Sequence, residues 1–139
     1  MLATPDTKIE AMAKVPLFSR CSRGDLAKIA KLADEIDLKP GKVLTKEGAG
    51  GREFFVILEG RADVRQDTRL LRPLGPGDFL GEISLVTDSA RTATVTAITK
   101  IRALVITDRA FRTLMEKHPD IQGRVLEAVA ARLDATSRP

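Results

Sequence analysis

The chain has 139 residues, of which 43% are apolar and 30% are charged, a composition typical of one globular domain. Its net charge of +4 comes from cations interleaved with acids, so direct nucleic-acid binding is not expected. The single cysteine excludes an internal disulfide, and no apolar run approaches the ~20 residues of a membrane span. These features predict a cytoplasmic protein with no membrane segment in this chain.

Two helices are predicted at the N-terminal end, over residues 6–13 and 22–33. The second is the stronger prediction, because Ser22 can cap it and its apolar residues fall on one face. Residues 36–38 then alternate between apolar and polar before a Pro-Gly turn, which predicts the first strand.

The middle of the chain is a series of short β-rich segments separated by turns that contain glycine or proline. Strands are predicted over residues 43–46, 53–58, 61–66, 69–74, 92–98 and 100–106, and residues 78–80 lead into the segment at 81–95. Many short strands with regular turn signals favour a β-sandwich or barrel.

Helical periodicity returns near the C-terminus. Asp108 is predicted to cap a helix that ends at His118 and Pro119. Apolar residues then recur at every fourth position and predict one face of a last helix: Ile121, Val125, Val129 and Leu133.

The most informative segment is residues 81–95, which read GEISLVTDSARTATV. A helix start directs backbone N–H groups outward and favours an anion, and Arg91 adds a planar donor fork suited to phosphate oxygens. Glu82 would repel phosphate unless its carboxylate accepts a hydroxyl of the same ligand, such as a ribose 2′-OH. The segment therefore predicts a ligand with a phosphate at one end and a sugar hydroxyl at the other.

This segment closely resembles the phosphate-binding cassette of the cyclic nucleotide-binding domain family. The family includes regulatory subunits of cyclic-AMP-dependent kinase, bacterial catabolite activator proteins and nucleotide-gated channels. Its form is Gly-Glu-apolar-small-Leu followed by Arg-(Thr/Ser/Ala)-Ala-(Thr/Ser)-Val, which residues 81–85 and 91–95 match in order. Segments 15–18, 54–60 and 76–79 are similar to other signatures of the family.

The resemblance covers residues 15–136 and implies an α+β fold, a jelly-roll-like antiparallel β-barrel or sandwich flanked by N-terminal and C-terminal helices. We expect a single cyclic nucleotide-binding domain over residues 1–139. Within it, N-terminal helices would occupy 1–33 and a β-roll 34–107, with the cassette at 81–95. C-terminal helices would occupy 108–136.

The resemblance also implies roles for the cassette residues. Glu82 would accept a hydrogen bond from the ribose 2′-OH, and Arg91 would pair with the cyclic phosphate. The backbone at Ile83 and Ser84 would donate to phosphate oxygens. Gly81, which has no Cβ, would let the backbone approach the ligand closely.

Four residues outside this central set are weaker candidates. Thr92 would donate a hydroxyl to the phosphate or contact a guanine amino group, or it is simply a strand residue. Val64 and Leu74 align with positions that wall the base in channel-type members, and a core role fits them equally well. Arg132 aligns with a basic contact to the purine from the last helix, and a surface arginine is an equally good interpretation.

The sequence therefore predicts a regulatory module, not an enzyme, that binds a cyclic purine mononucleotide and uses no cofactor or metal. Cyclic AMP is favoured and cyclic GMP is possible, and occupancy would pass through the C-terminal helices to an effector domain or homodimer partner. Two alternatives stay open: a degenerate domain that serves as a protein-interaction scaffold, and the ligand domain of a truncated transcription regulator. A cupin-type metal enzyme is not expected, because His118 is the only histidine.

Overall fold

A computed structural model of the chain describes residues 5–82, 85 and 90–137, with the backbone alone at 5–6 and 132–137. The helices are α1 (Pro5–Ala13), a short 3-10 helix (Pro16–Phe18), α2 (Arg23–Leu32), α3 (Asp108–Lys117) and α4 (Pro119–Ser137). The strands are β1 (Ala33–Leu38), β2 (Val43–Thr45), β3 (Glu53–Glu59), β4 (Ala62–Gln66), β5 (Arg69–Leu74), β6 (Phe79–Leu80), β7 (Thr94–Ala97) and β8 (Ile101–Thr107).

The strands form two four-stranded sheets, in the orders β1-β8-β3-β6 and β2-β7-β4-β5, and all recorded pairs are antiparallel. Helices precede and follow the strands along the chain. The predicted fold class, a helix-flanked antiparallel β-sandwich, is confirmed.

Strand β3 explains how the core is divided. Side chains alternate across a strand, so neighbouring residues face opposite sides of the sheet. Phe54 and Val56 pack with the helices, whereas Phe55 and Ile57 pack between the two sheets. Both faces of β3 are therefore buried, which is why its sequence is a continuous apolar run.

The ends of α2 agree with the sequence at one end and differ at the other. Ser22 caps α2 in a reciprocal capping box with Asp25, at 3.0 and 3.1 Å. The helix ends at Leu32, and Ala33 begins β1 by pairing with Ile106 of β8. The prediction of a separate segment between this helix and the first strand is therefore wrong, because pairing with β8 begins at the first residue after α2.

The cap of α3 also differs from the prediction. Thr107 is the N-cap, and its Oγ1 accepts the N–H of Ala110 at 3.3 Å. Asp108 is the first helical residue, and its carboxylate accepts hydrogen bonds from Arg112 at 2.8 Å and from Arg52 at 3.2 Å. The prediction that Asp108 is the cap is wrong by one residue.

Helix α3 ends where the sequence predicts, at His118, and Pro119 opens α4. Ile121, Val125 and Val129 of α4 are buried in the helical core as expected, whereas the side chain of Leu133 lies outside the described part. Among the described helices, none combines the length and the apolar character that crossing a bilayer requires.

Candidate functional site

A cavity opens against the sheet β2-β7-β4-β5. The space it encloses is about 380 Å³, a figure that includes the open solvent at its mouth. Six of the predicted site residues line it together: Val64, Leu74, Gly81, Glu82, Arg91 and Thr92. The tertiary structure thus brings three separate sequence segments to one place.

Arg91 is buried, with a relative exposure of 7%. Its Nη2 donates to the carbonyl oxygen of Glu53 at 2.8 Å, and its Nη1 donates to that of Gly81 at 3.1 Å. Burial lowers the pKa of Arg91, and the nearby carboxylates of Glu53 and Glu82 partly oppose this shift. An arginine starts from so high a pKa that the guanidinium stays charged near neutral pH.

The loop after β2 holds the backbone of Arg91. The N–H of Arg91 donates to the carbonyl of Ala49 at 2.9 Å, and the N–H of Gly48 donates to the carbonyl of Arg91 at 2.8 Å. Gly48 has a φ of +82°, a conformation that glycine adopts readily. This reciprocal pairing fixes the point from which the arginine side chain enters the cavity.

Both the backbone conformation and the neighbouring atoms require a glycine at position 81. Its φ is +94°, and a Cβ there would lie 2.6 Å from the carbonyl oxygen of Glu53 and 2.8 Å from Nη1 of Arg91. A side chain at position 81 would therefore strain the backbone and displace the guanidinium. The predicted role, close approach of the backbone to a ligand, stays a prediction.

Glu82 is the most deeply buried acid of the described residues, with a relative exposure of 1%. It lines the same cavity as Arg91 and acts electrostatically on it. Burying a carboxylate costs free energy unless polar groups compensate it, so a buried glutamate in a cavity indicates that its carboxylate interacts with polar groups there. One cavity thus offers a cation to an anion and a carboxylate acceptor to a hydroxyl donor.

The apolar wall of the cavity is also part of the core between the sheets. Val64 and Leu74 have relative exposures of 3% each, and both belong to the inter-sheet cluster while lining the cavity. Val64 and Leu74 can therefore be core residues and form the proposed wall for the base at the same time. Leu80 and Val95 complete the aliphatic surface.

Thr92 lies before β7, which begins at Thr94, so its assignment to a strand is wrong. It is half-buried at the cavity wall, and its carbonyl accepts a hydrogen bond from Gln66 Nε2 at 3.3 Å. A preference for β-strands therefore does not explain why a threonine stands at this position. Its place at the cavity wall is compatible with a ligand contact, and that role stays a prediction.

Three predicted site residues cannot be placed in this way. Ile83 and Ser84 lie outside the described residues. Arg132 is a residue of α4, and only its backbone is described. Their roles remain predictions.

Two polar residues of the cavity wall, Thr45 and Arg72, were missed by sequence reasoning. Thr45, with a relative exposure of 7%, donates its hydroxyl to the carbonyl of Ala93 at 3.1 Å. Arg72 of β5 pairs in register with Val64 of β4, so both side chains lie on the same face. The sequence did hold a signal for Arg72: it lies two residues before Leu74 in the same strand, and residues two apart in a strand share a face.

Comparisons with known proteins identify the family of this chain. A sequence model described as "Cyclic nucleotide-binding domain" matches residues 35–118. A putative potassium channel protein of Rhodopseudomonas palustris is 32% identical over 124 residues, which cover 87% of this chain and 30% of the channel protein. A cAMP-dependent protein kinase regulatory subunit of Mycosarcoma maydis is 34% identical over 110 residues, which cover 73% of this chain and 21% of the subunit.

The CRP-like cAMP-activated global transcriptional regulator of Mycobacterium tuberculosis is 29% identical over 133 residues, which cover 92% of this chain and 59% of the regulator. The chain thus spans between 21% and 59% of the length of these curated relatives.

Solved structures share the fold. A structure of cAMP-bound PfPKA-R superposes with a TM-score of 0.84 at 21% identity, covering 97% of this chain and 48% of that chain. A structure of Sp-2Cl-cAMPS bound to PKAR CBD2 gives 0.82 at 21% identity, covering 99% and 97%. Because the sequence model matches more than half of the chain, this chain belongs to the cyclic nucleotide-binding domain family.

Proposed function

We propose that this domain binds a cyclic purine mononucleotide in the cavity that contains Glu82 and Arg91, and that it acts as a regulatory module without performing chemistry. The observation that carries the proposal is that an acid and an arginine, separated in sequence, are both buried and line one cavity. A cyclic nucleotide carries a phosphate anion and a ribose hydroxyl in one small molecule, which suits this pair.

The phosphate end of the ligand would lie at Arg91. Arginine presents several N–H donors in a planar fork, and its bonds to the carbonyls of Glu53 and Gly81 orient that fork. Glu82 would accept the ribose 2′-OH, which keeps its carboxylate away from the phosphate. We further propose that backbone N–H groups at Ile83 and Ser84 donate to the phosphate.

The base would lie against Val64 and Leu74, the aliphatic wall of the cavity. Arg132 would contact the purine from α4. The kinase subunit and the transcriptional regulator among the relatives carry cAMP in their names, which favours cyclic AMP here.

A specific observation favours cyclic GMP as the second candidate. Arg72 and Thr92 both line the cavity, and arginine pairs in a bidentate manner with O6 and N7 of guanine. The Thr92 hydroxyl would accept from the guanine amino group. Parallel titration with both nucleotides decides between them: Arg72→Ala is expected to weaken cyclic GMP more than cyclic AMP.

Occupancy would be relayed through the C-terminal helices. Glu53, which holds Arg91, pairs in register with Thr107, the cap of α3. Phe54 follows Glu53 and packs against Phe111 of α3, with ring centroids 4.8 Å apart. A nucleotide shifts these helices only to the extent that it binds one of their arrangements more tightly than another. An effector domain or a second copy of the chain would receive the signal.

Isothermal titration calorimetry with cyclic AMP and cyclic GMP tests the proposal. The expected result is saturable binding in the wild type that is strongly weakened in Arg91→Ala and unchanged in the exposed control Arg69→Ala. A folded wild type that binds neither nucleotide at millimolar concentration would refute nucleotide binding and favour the protein-interaction scaffold.

A further inference from the structure

Gly51, just before β3, lies directly against the guanidinium of Arg91. A Cβ built on Gly51 would lie 2.5 Å from Nη2 of Arg91 and closer still to Nε and Cζ. Carbon atoms in contact normally stay about 3.5–4.0 Å apart, so no side chain fits while Arg91 keeps its position. The three atoms nearest to that Cβ all belong to Arg91.

The backbone gives no other reason for a glycine at this position. Gly51 is not among the residues with a positive φ, whereas Gly48 and Gly81 are, at +82° and +94°. A Cβ on Gly81 would also meet the backbone oxygen of Glu53, so a substitution there changes several contacts at once. Gly50 has no positive φ and open space around its Cβ position, which makes it a matched control one residue away.

We propose that Gly51 is a positioning residue for nucleotide binding. It acts through Arg91: its bare backbone is the surface on which the guanidinium lies, while the carbonyls of Glu53 and Gly81 orient the donor fork. The consequence for the phosphate rests on the function proposed above.

The hydrogen-bond distances show why a small displacement matters. The bonds of Arg91 to Glu53 and Gly81 measure 2.8 and 3.1 Å. N–H···O bonds weaken beyond about 3.2 Å, and relieving the overlap with a new Cβ requires a shift of more than an ångström or so. A side chain at position 51 therefore breaks at least one of the two bonds and points the fork away from the phosphate position.

The first test needs no nucleotide. In ligand-free protein, the Nε–Hε resonance of Arg91 is identified by NMR from its absence in Arg91→Lys. We expect that resonance to shift and to exchange faster with water in Gly51→Ala and Gly51→Val, and to stay in place in Gly50→Val. An unchanged resonance in both Gly51 variants would overturn the proposal.

Thermal unfolding adds a double-mutant cycle. Gly51→Val is expected to lower the Tm by roughly 3–6 °C in the wild-type background, about the shift expected when one hydrogen bond is lost in a domain of this size. In the Arg91→Ala background the valine occupies the space of the missing guanidinium, so no decrease is expected. An equal decrease in both backgrounds would show that Gly51 contacts something else, which contradicts the proposal.

Calorimetry with the cyclic nucleotide gives the functional readout. Gly51→Val is expected to weaken binding about tenfold, the equivalent of one hydrogen bond, with Gly51→Ala intermediate. Gly50→Val should stay within about twofold of the wild type, as for a surface substitution. Equal losses at positions 50 and 51 would refute a role through Arg91. If the wild type binds no cyclic nucleotide, the proposed function fails, while the NMR and unfolding results still decide whether Gly51 positions Arg91.

Discussion

Replacing Arg91 with alanine is the most direct test of the site, and its magnitude follows from the contacts. A hydrogen bond that involves a charged group contributes about 1.5–3 kcal/mol net. At about 1.4 kcal/mol per factor of ten, its loss weakens nucleotide binding by roughly 10- to 150-fold. The upper end is expected, because Arg91 is the buried cation that offsets the buried carboxylate of Glu82 in this cavity.

The fold should survive this change. Arg91→Ala removes the donor from the carbonyls of Glu53 and Gly81, at about 1–3 kcal/mol for each buried acceptor left unpaired. Water entering the open cavity reduces that cost, and domains of this size have about 5–15 kcal/mol of stability. Circular dichroism should therefore show an unchanged spectrum and a Tm lowered by several degrees.

Two controls make the calorimetric result decisive. Arg91→Lys keeps the charge but loses the planar fork, so its affinity should fall between those of the wild type and the alanine variant. Arg69→Ala removes an exposed arginine from β5 and should bind as the wild type does. A folded Arg91→Ala protein that binds within about twofold of the wild type would refute the assignment of Arg91 to the phosphate.

Three further predictions concern single side chains. Glu82→Gln should weaken cyclic AMP about tenfold but leave 2′-deoxy cyclic AMP unaffected, since only the hydroxyl is proposed to meet the carboxylate; equal losses for both ligands would argue against that contact. The Arg112 side chain, through its hydrogen bond, holds the pKa of Asp108 below its ordinary value. A carboxyl with a lowered pKa in the folded state adds stability above its unfolded pKa and loses it as the pH falls through the folded value. The wild-type Tm should therefore decrease below about pH 4, and the Tm of Asp108→Asn should decrease less. Thermal melts of both proteins between pH 6 and pH 2 measure this difference, and equal decreases would contradict the role of Asp108. Ser22→Ala removes the capping box with Asp25 and should cost about 0.5–2 kcal/mol in denaturant unfolding; an unchanged midpoint would mean that this cap contributes nothing.

Local sequence patterns predicted much of the fold. The Ser22 cap, the turn at His118 and Pro119, and the apolar face of α4 depend on neighbouring residues alone, so they were predictable. The cap of α3 was not, because Thr107 and Asp108 are both suitable residues in adjacent positions. Thr107 takes the role because it ends β8 in register with Glu53, a residue far away in the sequence.

The sequence by itself determined the chemistry of the site: Glu82 and Arg91 stand in a cassette whose pattern is recognisable within 15 consecutive positions. Only the tertiary structure decided what surrounds them. Arg72 enters the cavity through its register with Val64, and Gly51 meets the guanidinium because the loop before β3 folds against Arg91. The physical reason is that motif residues are close in sequence, whereas the walls of a cavity between strands are set by long-range pairing, which no local pattern specifies.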